Sequence, residues 1–288
     1  DVLESLAQRR AAEAFATNGV PPEEVWANVQ PLSGSPANSA VYSALVPLGS
    51  TVMGMDLLHG GHLTHGSPAN RSGKSYKIVS YGIDLGTERL DYDAVEELAR
   101  EHAPKMIIAG YTSYPWMPDW ARFRQIADAV GAYLLADISH IAGMVAAGVV
   151  PSPVGHAHVI SFTTHKTLYG PRGACILTTD KKLAQKIDTA VFPGEQGGPH
   201  VNAIAGMAVA FQIARLPEFR RLQQQVVDNA AYLAAELEHL AEGARLAREE
   251  AATRLEVVET ELAASRERAA ALESDLAALR RERDGLQA

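Results

Sequence analysis

Lys166 sits at the centre of VISFTTHKTLYGPRG, residues 159–173, where an apolar, β-branched run gives way to a Thr/His cluster and then to a Gly-Pro-Arg-Gly turn. A lysine framed in this way reads as a reactive amine held at a strand end rather than as solvated surface, because desolvation disfavours the ammonium and exposes the nucleophilic form. Asp137 closes YLLAD and opens DISHIAG. A carboxylate at a buried strand end is costly unless a cation or donors meet it. It reads either as the cap of a following short helix or as the partner of a protonated ring nitrogen, with His140 one helical turn later. Ser33-Gly34-Ser35-Pro36 opens a helical pattern. Ser and Gly suit an N-cap there, and the free amides of a first turn attract an anion. LLHGGHLTHG carries His59, His62 and His65. No carboxylate or cysteine completes these histidines at ligand spacing, so no metal is expected, and a flat ring covering a flat ligand is the more natural use. A lysine, an aspartate and a phosphate-cradling helix start together describe a pyridoxal phosphate site.

The elements that must position these groups can be read from periodicity. Helical spacing covers Val2 to Phe15, Ser33 to about Val46, Tyr92 to His102 and Asp119 to Val130. Strand patterns cover Val25 to Val29, Thr51 to Met55, Lys77 to Tyr81, Lys105 to Ala109 and Tyr133 to Ala136, while the Gly/His stretch is too glycine-rich for a helix. Alternation at this rhythm gives an α/β fold, a mostly parallel sheet with helices on both faces. Ligands of such sheets bind beyond the carboxyl ends of the strands, where Asp137 and Lys166 both fall.

Composition narrows the function classes. The chain has 288 residues, 47% of them hydrophobic, and a formal net charge of −8. That charge excludes a general nucleic-acid binder, which needs a basic field. No run of uncharged apolar residues is long enough for a membrane span. The one cysteine, Cys175 in ACILTT, cannot form an internal disulfide and reads as a buried strand thiol, so a reducing cytoplasmic compartment is expected.

ANVQPLSGSPAN, MDLLHGGHLTHGSPAN, LLADISHIAGMVAAG, TTHKTLYGPRGA and VFPGEQGGP, in this order and spacing, resemble serine hydroxymethyltransferase, a fold-type-I pyridoxal phosphate enzyme, from about Asp1 to about Gly243. The resemblance implies that Lys166 carries the cofactor, that Asp137 binds its pyridine nitrogen and that His62 stacks on its ring. It further implies that Ser33, Gly34 and Ser35 hold the phosphate, with Gly197 and Gly198 reaching the phosphate of a neighbouring subunit in a homodimer. Thr112, His140 and His165 would surround the ring oxygen and substrate, and Arg172 would steady the lysine loop. Tetrahydrofolate, the implied co-substrate, would lie near Leu57, Gly61 and Leu63 as serine and glycine interconvert.

Some features depart from the family's pattern. Its N-terminal arm, with an acid and tyrosines that cross to the partner, and its C-terminal domain, with the arginine that grips the substrate carboxylate, have no matching segment here. Losing that bidentate anchor would weaken amino-acid binding by on the order of a few kcal/mol. Trp116, Tyr169 and His200-Val201-Asn202 also differ. These departures leave open a PLP-dependent aldolase or transaldolase acting on β-hydroxy amino acids, or a catalytically impaired cofactor-binding scaffold. The domain reading is a PLP-binding large domain over residues 1–215 and a helical segment over 216–288. From about 244 the segment becomes a possible coiled-coil appendage, its seam running through Leu255, Val258, Leu262, Ser265, Ala269, Leu272, Leu276 and Leu279. One amphipathic helix packed on its own domain is the alternative. Truncation, fusion or chimeric assembly would each leave this pattern.

Overall fold

The computed structural model describes residues 2–286, with the side chains of residues 275 and 278–286 outside the description, so Leu279 of the seam lies beyond the described side chains. The chain divides into two compact units, Asp1–Val226 and Val227–Ala288.

The first unit is built in the order α1 (Val2–Phe15), β1 (Trp26–Asn28), α2 (Gly34–Leu45), β2 (Thr51–Met55), α3 (Arg71–Ser75), β3 (Lys77–Tyr81), β4 (Ile83–Asp84) and β5 (Arg89–Leu90). There follow α4 (Tyr92–His102), β6 (Met106–Gly110), α5 (Trp120–Val130), β7 (Tyr133–Asp137), α6 (Ala142–Ala146), β8 (Val159–Thr163), β9 (Ala174–Thr178), α7 (Lys181–Thr189) and α8 (Val201–Ala214). The helix α9 (Pro217–Leu286) begins in this unit and supplies the second.

Seven strands form one sheet in the order β1-β9-β8-β7-β6-β2-β3. The run from β8 to β3 is parallel throughout, whereas β9 is antiparallel to both β8 and β1. This is the mostly parallel α/β sheet that the strand–helix rhythm implies. The central strands are apolar at nearly every position because both faces are covered. Ile107, Ala109, Leu134, Ala136 and Phe162 join one buried cluster with α1, α4, α5 and α8, while Met106, Ile108, Leu135 and Val159 join another with α2 and α7. Period-2 side-chain alternation thus sends neighbouring residues of one strand into opposite layers.

Element boundaries follow local chemistry. Asp91, Asp119 and Asp180 cap α4, α5 and α7 through their carboxylates. Asp119, read as the first helical residue, is therefore the cap, and β6 is displaced by one residue from its expected position to end on Gly110. The Gly/His stretch forms two short 3₁₀ turns, Leu57–His59 and Leu63–His65. No helix among the described residues is long and apolar enough to cross a membrane.

In the second unit every described side chain from Asp228 to Ala277 is exposed, including Leu255, Val258, Leu262, Leu272 and Leu276.

Candidate active site

Asp137 ends β7, and Lys166 lies three residues past the end of the adjacent parallel strand β8. The neighbouring strand β6 ends on Gly110, paired with Asp137. Gly110 has φ +136°, and a Cβ there would come within 2.1 Å of the Asp137 carbonyl oxygen. Only glycine lets the two strands approach so closely while adopting that conformation.

The Asp137 carboxylate is buried and saturated with donors. Oδ1 accepts from the Ser139 amide at 3.1 Å and the Ser139 hydroxyl at 2.6 Å. Oδ2 accepts from Asn38 Nδ2 at 2.8 Å and lies 3.1 Å from His65 Nε2. Burial alone would raise its pKa, but the hydrogen bond and charge of His65, with the Ser139 and Asn38 donors, hold it well below the usual carboxylate range. Asp137 thus turns the backbone at Ser139 but does not cap the following helix, because α6 begins after Ile141 with no side-chain capping bond; what it keeps at the strand end is a fixed negative charge.

Asn38, buried on α2, is the residue that sequence reasoning passed over. Its Nδ2 reaches both Asp137 Oδ2 and Thr64 Oγ1, at 2.8 and 2.9 Å, and its Oδ1 accepts from the Ser161 hydroxyl at 2.7 Å. Thr64 in turn bonds His62 Nδ1 at 2.7 Å, and its amide donates to the same nitrogen at 3.2 Å. Accepting from that amide leaves Nδ1 unprotonated, so a neutral His62 ring carries its proton on Nε2. Burial, with His65 nearby, lowers the His62 pKa and favours the neutral ring. Asn38 lies within the motif SGSPAN. The signal that could have found it is an amide on the inner face of a helix whose other inward residues are apolar.

The fold also brings His62, His65 and Asp137 together, with one potential ligand atom from each within 4.8 Å of the others. Asp137 is distant in sequence from these histidines and adjacent to His62 and His65 in space, while His59 is not part of the group. Asp137 Oδ2 and His65 Nε2 already bond each other, and we assign no metal to the group.

Lys166 is half-buried. Its Nζ is 3.0 Å from His140 Nε2. Desolvation lowers the lysine pKa against the opposing pull of Asp137, and burial together with Lys166 lowers that of His140. The amine is held by a tightly cross-braced loop. Thr164 donates its hydroxyl to the Pro171 carbonyl at 2.6 Å, Thr167 donates its own to the His140 carbonyl at 3.1 Å, and Gln223 of α9 donates to the Thr167 carbonyl at 2.9 Å. Gly143 of α6 completes the brace, since a Cβ there would meet the Thr167 carbonyl at 2.0 Å.

The N-terminus of α2 abuts this cluster. A Cβ on Gly34 would lie 2.7 Å from Thr163 Cγ2 and 4.0 Å from Ser139 Oγ. The Ser33 side chain makes no capping bond, Pro36 has no N–H and the Ala37 amide donates to the Ser33 carbonyl, so the donors this N-terminus offers an anion are the Ser33 hydroxyl and the Gly34 and Ser35 amides. Ser35 is exposed beside it.

The remaining expected residues are less closely engaged. His165 has a pKa lowered by burial and by Arg172, and its Nδ1 is a buried atom without a hydrogen-bond partner among the described residues. Arg172 is exposed and makes no side-chain hydrogen bond or ion pair among the described residues, so the loop's bracing comes from Thr164, Thr167 and Gln223 instead. Thr112 is exposed, and its amide donates to the Gly60 carbonyl at 2.7 Å, which ties its loop to the Gly/His turns. Leu57 and Leu63 are half exposed on those turns, while Gly61 is packed so closely that a Cβ would meet the Met55 carbonyl at 2.1 Å. Gly197 and Gly198 are exposed with open space around them and do not join the lysine cluster of their own chain.

The residues fit pyridoxal phosphate by donor chemistry. A half-buried amine, a buried carboxylate held ionised, a neutral imidazole and a free helix N-terminus share one end of the sheet. Thr163 Oγ1, His65 Nδ1 and His165 Nδ1, buried without partners among the described residues, belong to the same region.

A mostly parallel α/β sheet presenting a lysine and a buried aspartate beyond its carboxyl edge defines the large domain of a fold-type-I pyridoxal phosphate enzyme. Residues 1–268 match the family model of serine hydroxymethyltransferase, and the chain belongs to that family. The match runs past Gly243, where the motif resemblance ends, into the first part of the heptad-patterned helix.

Proposed function

We propose that this chain binds pyridoxal phosphate on Lys166 and uses it to interconvert serine and glycine, passing the one-carbon unit to tetrahydrofolate. Family membership supports the reaction class, and the observation that carries the site assignment is a half-buried Lys166 at the same end of the sheet as an Asp137 held ionised by Asn38, His65 and Ser139. When bound, the cofactor supplies an electron sink that stabilises negative charge developing at the amino acid's α carbon.

The chain's own residues set the conditions for that chemistry. Asp137 would hold a proton on the pyridine nitrogen, and its depressed pKa keeps it the charged partner. His62, neutral and oriented by Thr64, would cover the ring face. Ser33, Gly34 and Ser35 would take the phosphate at the α2 N-terminus. Lys166, with its lowered pKa, would offer a neutral amine, and His140 would exchange a proton with it across their contact. His165 and Thr112 would border the substrate, and Arg172 the lysine loop. Gly197 and Gly198, open in this chain, would complete the phosphate site of a second copy. Leu57, Gly61 and Leu63 would line the folate side.

The test is glycine formation from isotopically labelled serine by chain loaded with pyridoxal phosphate, with and without tetrahydrofolate. Glycine formed only when tetrahydrofolate is present, and lost in Lys166→Ala, is the expected result. Folate-independent cleavage of β-hydroxy amino acids would replace this reading with an aldolase. Bound cofactor with no turnover of either substrate would leave a cofactor-binding scaffold.

A further inference from the structure

The helix of the second unit carries an exposed apolar stripe at heptad spacing. Leu255, Val258, Leu262, Ser265, Ala269, Leu272 and Leu276 step by three and four residues, placing Leu255, Leu262, Ala269 and Leu276 at one core position of a heptad and Val258, Ser265 and Leu272 at the other. Towards the N-terminus the stripe continues through Ala251, Ala247, Ala244, Leu240, Leu237 and Leu233. Two successive four-residue steps, 247 to 251 to 255, mark a stutter that locally unwinds a supercoil without breaking the stripe. The apolar side chains on it are at least 47% exposed in the single chain at Leu233, Leu237, Leu240, Leu255, Val258, Leu262, Leu272 and Leu276. An isolated helix with such a stripe gains most of its stability by covering it.

The charges flanking the stripe identify the occupant. The residues just before the first core position are Arg254, Glu261 and Arg268, and those just after the second are Glu259, Arg266 and Glu273. In a parallel, in-register pair, each residue of the first set faces the residue five later on the partner helix. Arg254 then meets Glu259, Glu261 meets Arg266, and Arg268 meets Glu273, every contact opposite in sign and each made twice by symmetry. Antiparallel alignment over the same stretch instead sets Arg266 against Arg266, Arg268 against Arg268 and Glu259 against Glu273. In the single chain Arg254 bonds Glu250 one turn earlier, a surface pair of small worth that leaves Glu259 for the partner.

We infer that residues 255–276 form a parallel, in-register two-stranded coiled coil with a second copy of this chain. Ser265 and Ala269 make the centre of the seam weak in apolar burial, so partner choice and register rest on the flanking charges. The inference is independent of the chemistry proposed for the lysine site.

The test uses the full chain carrying Ser265→Cys, in which the other thiol, Cys175, is fully buried. Parallel in-register pairing brings the two introduced thiols together, and mild oxidation should give a disulfide-linked dimer. Adding Glu261→Arg, or adding Arg266→Glu, sets like charges against each other on both sides and should reduce the linked species roughly tenfold. Mixing the two charge variants restores opposite charges at both contacts and should restore the link as a heterodimer. Absence of the disulfide in a helical, soluble Ser265→Cys chain would overturn the inference. Equal linking in both charge variants without the mixing preference would overturn it as well.

Discussion

At the scale of single residues the site is a chain of hydrogen bonds that fixes charge. Asn38 joins Asp137 to Thr64 and so couples the carboxylate to the orientation of His62. Asn38→Ala leaves buried groups unpaired and should cost about 1–3 kcal/mol in urea unfolding, with weaker binding of pyridoxal phosphate. Asn38→Asp should be worse, because it sets a second carboxylate against Asp137. The pH dependence has a definite sign. Asp137 has a folded pKa below its unfolded one, near 3.9, so its contribution is complete above about pH 5 and is lost as pH falls through the folded value. Acid unfolding of Asp137→Asn, followed by circular dichroism, should therefore show a shallower loss of stability below pH 4 than the parent. For Lys166 the lowered pKa predicts that its reaction with pyridoxal phosphate, followed by absorbance, reaches half-maximal rate at a pH below the value of about 10.4 for a free lysine. Lys166 and Asp137 were legible because their types clash with the apolar strands before them. Asn38 was not, since its partners lie on other elements and no spacing along the chain reports them.

At the scale of elements the strands were legible as apolar, β-branched runs and the helices as periodic segments with acidic caps. The alternation of strand and helix gave the parallel sheet. The antiparallel β9 and the hairpin of β4 and β5 were harder to see, because a short buried strand carries no orientation in its own sequence and two-residue strands have no period. The Gly/His stretch became two 3₁₀ turns since Asp56 and His62 each accept an amide and close a local turn. Close approach between elements, likewise hidden in the sequence, is carried by glycine. Gly110→Ala would drive a Cβ into the Asp137 carbonyl at a backbone conformation that alanine disfavours. It should destabilise the protein by about 3 kcal/mol or more in denaturant unfolding, with loss of cofactor binding on the same transition.

At the scale of the whole molecule, two compact units share one chain, and the residues assigned to cofactor chemistry all belong to the first. A chain ending at Val226 keeps Phe219, buried in the core of the first unit, and Gln223, which braces the lysine loop. It should retain the visible absorbance of bound pyridoxal phosphate while losing the helical pairing. The motifs made the family legible over most of the first unit, whereas the partner of the exposed helix emerges only when its flanking charges are set across a symmetric pair. The whole assignment of the site turns on Lys166 as the residue that carries the cofactor. Borohydride reduction of the chain loaded with pyridoxal phosphate, followed by peptide mass spectrometry, tests it most directly. A single phosphopyridoxyl modification on the peptide containing Lys166 is the expected result. A modification on another lysine, or no stable modification in chain that shows the visible band, would contradict it.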